Sequence, residues 1–177
     1  MKPAVRHLSC LLLLAGFCLA APPAPAAESL ENAIKANYLY KFAPFVEWPD
    51  NASPAFVICI VGTDPFGPVI DQAVRGQRMG PRAIEIRRLK IAEANSGCQI
   101  MYLGGSDEQT VAQGVASVRG TPVLTVTSDD TPGAIIRFVL DNNHVRFDID
   151  DAAAADNRLD VSSKLLDLAH AVRPRKP

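Results

Sequence analysis

The sequence predicts a single α/β domain, a mixed and mostly parallel sheet with helices on both faces and a C-terminal antiparallel hairpin. Three observations predict it. Two apolar runs, residues 56–61 (FVICIV) and 98–103 (CQIMYL), suit strands covered on both faces. Helical patterns follow strand patterns along the chain, the alternation that parallel strands joined by crossover helices require. Asn142 and Asn143, between two further strand patterns, tolerate the positive backbone angles of a tight hairpin turn. At 177 residues the chain holds one ordinary core, and no domain boundary interrupts it.

Residues 1–26 read as a cleaved export signal, leaving a single domain over 27–177. Lys2 and Arg6 precede an apolar run over 8–21, which is shorter than the roughly 20 residues that span a bilayer. Ala24 and Ala26 then offer a small-residue cleavage site. A lipid anchor lacks its cysteine, because Cys10 sits too early in the run and Cys18 follows the bulky Phe17. We therefore expect a soluble exported protein with no direct membrane insertion.

The elements follow in order. Ser29 is placed to cap a helix whose apolar positions Leu30, Ala33, Ile34, Tyr38, Leu39 and Phe42 recur at three- and four-residue steps, until Pro44 and Pro49 stop it. Strand 56–61 ends at Gly62, and Thr63-Asp64-Pro65 turns the chain. Residues 68–75 suit a short helix, and 83–87 alternate like a strand with one wet face. Strand 98–103 leads through Gly104 and Gly105 to Ser106-Asp-Glu-Gln109, a capping box that opens a helix to about Val118. Residues 122–127 form a further strand, and 128–133 a polar, turn-rich loop. The hairpin pairs 135–140 with 145–149. An Ala-rich helical segment begins at 151, and a last helix is expected over 161–172, with Val161, Leu165, Leu168 and Ala169 on one stripe and Leu166 beside it.

Charge and motifs exclude most chemistries. With 18 Lys and Arg against 19 Asp and Glu, nothing in the bulk charge favours nucleic acid. Gly62-Thr-Asp-Pro-Phe-Gly67 has the glycine spacing of a phosphate loop, but Pro68 and Val69 stand where Lys and Ser or Thr are needed. Gly104-Gly105-Ser106 lacks the flanks of a nucleophile elbow. Beyond the signal, the histidines are His144 and His170, too few for an imidazole metal site. Asp107, Asp129, Asp130, Asp148, Asp150 and Asp151 lack the spacing of a calcium loop, and the last three suit the N-terminus of the following helix. We expect no catalytic residue, no metal and no cofactor. Tyr38, Tyr40, Phe42, Phe45 and Trp48 crowd into 38–48, with Lys41 the one cation among them. They read as the face through which the first helix docks on the sheet; the alternative reading leaves some rings at the helix end exposed as a partner anchor. Cys59 and Cys98 remain after the signal is removed, and an even pair in an exported chain admits either one bridge or two buried thiols.

Taken in order, residues 37–49 (NYLYKFAPFVEWP), 56–62 (FVICIVG) and 64–67 (DPFG) make a string that resembles the YfiR family of exported regulators. Residues 98–103 are similar to that family's Cys-led strand, and 123–126 (VLTV) to its next strand. Phe138 with 145–149 (VRFDI) resembles its R-F-E-I hairpin, and 162–166 (SSKLL) its closing helix. The resemblance implies a periplasmic, non-enzymatic α/β protein, often a homodimer. Such a protein represses an inner-membrane diguanylate cyclase by binding its periplasmic sensor region, and an OmpA-like outer-membrane lipoprotein sequesters the repressor. It also implies a Cys59–Cys98 disulfide. Gly133 and Leu140 lie in the region where some relatives carry a further cysteine pair, so redox control through that pair is not expected here, and Asp148 replaces the more usual Glu. The partner surface is expected on the closing hairpin and helix, at Phe138, Phe147, Asp148, Val161, Leu165 and Leu166. A second reading is a periplasmic small-ligand sensor with its pocket at the carboxyl ends of the strands, around Gly62 and Gly104. A third would assemble a hydrolase or isomerase from the loop carboxylates Asp64, Asp129 and Asp130.

Overall fold

The computed structural model describes residues 25–49, 53–105 and 107–175. Residues 1–24 of the expected export signal lie outside the described residues, as does Ser106. The chain opens with α1 (Pro25–Phe42), a 3-10 turn (Ala43–Phe45) and a short strand β1 (Val46–Glu47). Next come β2 (Ala55–Gly62), α2 (Pro68–Val74), β3 (Arg78–Met79), β4 (Arg82–Leu89) and β5 (Ile100–Gly104). Then follow α3 (Glu108–Ser117), β6 (Leu124–Thr127), β7 (Ile136–Asp141) and β8 (His144–Asp150). The chain closes through α4 (Asp151–Asp156), β9 (Asp160–Val161), α5 (Ser163–Leu168) and β10 (Ala171–Arg173).

Eight strands form one sheet in the order β10-β8-β7-β6-β5-β2-β4-β3, and β1 pairs with β9 in a separate antiparallel ribbon. From β4 to β7 every neighbour is parallel, and the β7–β8 and β3–β4 pairs are antiparallel. This is the mixed, mostly parallel sheet that the sequence predicts. The apolar run of β2 is flanked by β4 and β5, with Ile58 opposite both Ile86 and Ile100. Period-two alternation splits its side chains between two layers. Phe56, Ile58 and Ile60 join α1 and α2 in the larger core, through Leu39, Phe42, Ile70 and Val74. Val57, Cys59 and Val61 face α3 through Val111 and Val115. The hairpin turns at Asn142 and Asn143, both with positive φ (48° and 62°), as their side chains tolerate.

Four local expectations are corrected. Helix α1 starts at Pro25, upstream of Ser29, because Ala26, Ala27 and Glu28 are good helix formers behind a proline suited to the first position. Its first turns do not dock: Leu30 is 63% exposed and Ile34 is exposed, whereas Ala36, Leu39, Phe42 and Ala43 are buried. The cap of α3 is Asp107, whose carboxylate accepts from both Thr110 N–H (2.8 Å) and Thr110 Oγ1 (3.0 Å). The helix expected over 161–172 is six residues long. Ser162 caps it by accepting from Leu165 N–H, and beyond it His170 N–H donates to Phe147 O at 2.8 Å. So short a helix is marginal alone, and sheet pairing on both sides, through β9 and β10, wins the flanking residues.

Candidate functional site: the charged hairpin edge

The aromatic segment fixes where this edge sits. Tyr38 and Phe42 of α1 pack on Phe138 and Phe147 of the hairpin, with ring centroids 5.1–6.1 Å apart. The first helix thus docks through its aromatic face, and Trp48 lies edge-on to Phe56 at 5.1 Å. Phe138, Phe147, Val161 and Leu165 are all at most 5% exposed, so four of the six residues expected at a partner surface are core. They were singled out by strand or helix period, and period marks the core face as readily as an interface. Of the six, Asp148 and Leu166 are half-buried and reach the surface.

Asp148 organises the polar side of the hairpin. One carboxylate oxygen accepts from Arg137 at 2.7 Å, and the other accepts from His170 Nδ1 at 2.9 Å. Arg137 also pairs with Asp130 at 2.5 Å. Burial alone would raise the Asp148 carboxyl, but its hydrogen bonds to Arg137 and His170 outweigh it and hold the group below the usual carboxylate range. The bond to Asp148, with Asp130 beside it, raises the Arg137 guanidinium above its ordinary value. Strand β10 is then tied to β8 by Arg173 to Asp150 (3.1 Å), and just beyond the strand Arg175 pairs with Asp151 (2.8 Å) and Asp160 (2.6 Å). Of the three acids expected at the N-terminus of α4, Asp150 caps it, accepting from Ala153 N–H at 2.9 Å, and Asp151 lies in its first turn while also holding Arg175; Asp148 lies outside the helix and holds Arg137 and His170 instead. Between this edge and the loop at 130–135 lies a groove of about 440 Å³, lined among others by Asp130, Arg137, Asp148, Val172 and Arg173.

The carboxylates here are committed to ion pairs, an arrangement that fixes strands and presents charge. Among the described residues no group of three or more His, Cys, Asp or Glu is placed to hold a metal ion. Asp64 serves its own turn, accepting from the N–H groups of Phe66 and Gly67 and from Arg88. Asp129 accepts from Thr127 Oγ1. Among the described residues no helix is long and apolar enough to cross a membrane.

Cys59 and Cys98 form a disulfide with Cα atoms 5.8 Å apart, tying β2 to the residue pair that leads into β5. Around Gly62 and Gly104 a separate cavity of about 250 Å³ opens at the carboxyl ends of these strands. One polar cluster escaped the sequence reading. Lys35, 8% exposed, pairs with Glu31 (2.5 Å), donates to Ser128 Oγ (3.1 Å) and lies 5.9 Å from the Phe138 ring centroid. Ser128 Oγ is in turn 3.3 Å from the Tyr102 hydroxyl, whose pKa burial pushes up. The available signal was its register, since Lys35 shares a helix face with Leu39 and Phe42.

The family model described as YfiR/HmsC-like matches residues 32–170, a span that includes Cys59 and Cys98, the aromatic segment, the hairpin and His170. No curated protein matches the chain.

Proposed function

The chain belongs to the YfiR/HmsC-like family, and from that membership we propose that it is a periplasmic, non-enzymatic regulator that represses an inner-membrane diguanylate cyclase. It acts by occupancy: bound to the cyclase's periplasmic sensor region it holds the low-activity state, and its removal lets that state relax. An OmpA-like outer-membrane lipoprotein would compete for it, and a homodimer would present two copies of the binding edge. The observation that carries the reading is the family match across nearly all of the described chain. The ion-paired carboxylates of the hairpin edge support it, being suited to a fixed recognition surface.

Among the residues expected at the partner surface, Asp148 and Leu166 keep that role. Their neighbours Leu168 (63% exposed) and Val172 (39% exposed) extend an apolar rim along α5 and β10. A regulator needs no bond-making group, so its contacts are of this kind, apolar anchors beside fixed charges. The test is the cyclic di-GMP level of the native host with the gene deleted, then restored with and without residues 1–26. A rise on deletion that only the exported form reverses is the expected result. No change while a neighbouring cyclase is expressed would overturn the reading.

A further inference from the structure

A second site lies where the sheet changes its direction of winding. In the order β4-β2-β5-β6 the chain leaves β2 for β4 on one side and returns to β5 on the other. The crevice between the carboxyl ends of β2 and β5 is therefore the topological switch point, where open α/β sheets hold their ligands. Here two segments are pinched together. Thr63 N–H donates to Gly104 O at 2.9 Å, a Cβ on Gly62 would lie 2.2 Å from that same oxygen, and one on Gly104 would lie 2.3 Å from Thr63 O. Without side chains at these two positions the crevice stays open above the strands.

The cavity of about 250 Å³ over this point is bounded by residues 90–92 on one side and α3 on the other. Val61, Leu103 and Val111 supply buried apolar lining, and Ile91 and Ala92 a further wall. Ile91 is 66% exposed, a large apolar side chain at the mouth. Gly114, in the middle of α3, lets the helix approach Leu103, whose Cδ2 a Cβ would meet at 2.7 Å. The polar lining divides in two. Thr110 Oγ1 is taken by Asp107, and Ser117 Oγ by the carbonyls of Ala92 and Gly114. Lys90 and Gln113 have no side-chain partner among the described residues. Below the cavity the Cys59–Cys98 bridge fixes the spacing of the two framing strands, so the space is preformed.

We propose that this cavity binds a small amphiphilic carboxylate, its short aliphatic part on Val61, Leu103 and Val111 and its carboxylate on the Lys90 ammonium and the Gln113 amide. A single unpaired cation beside an apolar floor selects for one negative charge on a hydrocarbon body. The volume lies below the roughly 300–1,000 Å³ of drug-sized sites, which restricts the ligand to a short chain.

The test titrates the oxidised, exported protein with hexanoate and, separately, with uncharged hexanamide, following backbone amide resonances. Expected are saturable shifts confined to residues 90–92, 103–104 and 110–117, with hexanoate binding about fivefold more tightly than hexanamide, the size of an exposed charge contact. Lys90→Met, at an exposed position, abolishes that preference, and Ala92→Phe abolishes binding by filling the space. Absence of saturable shifts, shifts at other residues, equal affinity for acid and amide, or an unchanged preference in Lys90→Met would each overturn the proposal. All four are read from a folded protein and none depends on cyclase repression.

Discussion

Gln99 and Val57 are bonded to each other twice, once through the backbone and once through a side chain. Gln99 N–H donates to Val57 O at 2.9 Å, and Gln99 Oε1 accepts from Val57 N–H at 2.7 Å. Gln99 is 3% exposed, so its amide completes the β2–β5 pairing in a place water does not reach. Gln99→Leu keeps the size but leaves Val57 N–H buried and unpaired. We expect a loss of about 1–3 kcal/mol in urea-unfolding free energy. A change within about 0.5 kcal/mol would show that the side-chain bond is dispensable.

One residue earlier, Cys98 meets Cys59 across the same pair of strands, and the two cysteines are 4% and 0% exposed. The bridge closes a loop with a sequence separation of 39, for which chain entropy gives a stabilisation on the order of 4 kcal/mol. The Cys59→Ala, Cys98→Ala double variant should fold to the same sheet with an unfolding free energy lower by that order. The exported wild type, unfolded without reductant, should show no free thiol from this pair. Two free thiols would contradict the bridge.

Asn157 forms a comparable clasp at the start of β6, beside Gln99, whose backbone oxygen accepts from Leu124 N–H. Its Nδ2 donates to Val123 O and its Oδ1 accepts from Gly120 N–H, both at 2.9 Å, with the residue 5% exposed. Asn157→Leu should cost about 1–3 kcal/mol by stripping the buried Val123 carbonyl and the part-buried Gly120 N–H of their partner. The midpoint of thermal unfolding checks this, and an unchanged midpoint would mean that another group replaces the amide.

These clasps mark the boundary of what the sequence makes legible. Strand β2 was readable because 56–61 is an unbroken apolar run ending at Gly62, and the Asn142-Asn143 turn because few residue pairs accept two positive φ values. Gln99, Asn157 and Lys35 were not, since a polar side chain shows its partner only when distant segments have met. The last helix misled for a related reason. Leu165, Leu168 and Ala169 keep helical spacing, but Ser162 and the pairing of β9 and β10 decide how much of that segment is helix, and neither competitor is local. The hairpin's aromatic residues were placed correctly in the fold and wrongly at its surface, because period does not say which side a partner occupies.

Asp148 should make stability depend on pH. Its carboxyl is held below the ordinary value of about 3.9, chiefly against burial and by Arg137 and His170, so the folded state binds this proton less readily than the unfolded state. The stabilisation is therefore present above about pH 4 and is lost as pH falls through the folded pKa. Asp148→Asn should flatten the fall in unfolding free energy between about pH 5 and pH 2. An acid limb identical to that of the wild type would show that the pairing does not distinguish the two states.

The last prediction separates the surface of the hairpin edge from its core. Leu168 and Val172 are exposed and Phe138 is 2% exposed, so equal charge or truncation acts by different routes at the two places. Leu168→Asp with Val172→Asp should leave thermal stability within about 0.5 kcal/mol, as surface changes do, yet raise cyclic di-GMP toward the level of the deletion strain. Phe138→Ala should lose about 3–5 kcal/mol by opening a cavity beneath Tyr38 and Phe42, and should derepress the cyclase only as the folded protein disappears from the periplasm. Protein level and cyclic di-GMP measured in the same cells distinguish the two. A stable, abundant Leu168→Asp, Val172→Asp variant that still represses would remove this rim from the partner surface and leave Asp148 and Leu166 to be tested alone.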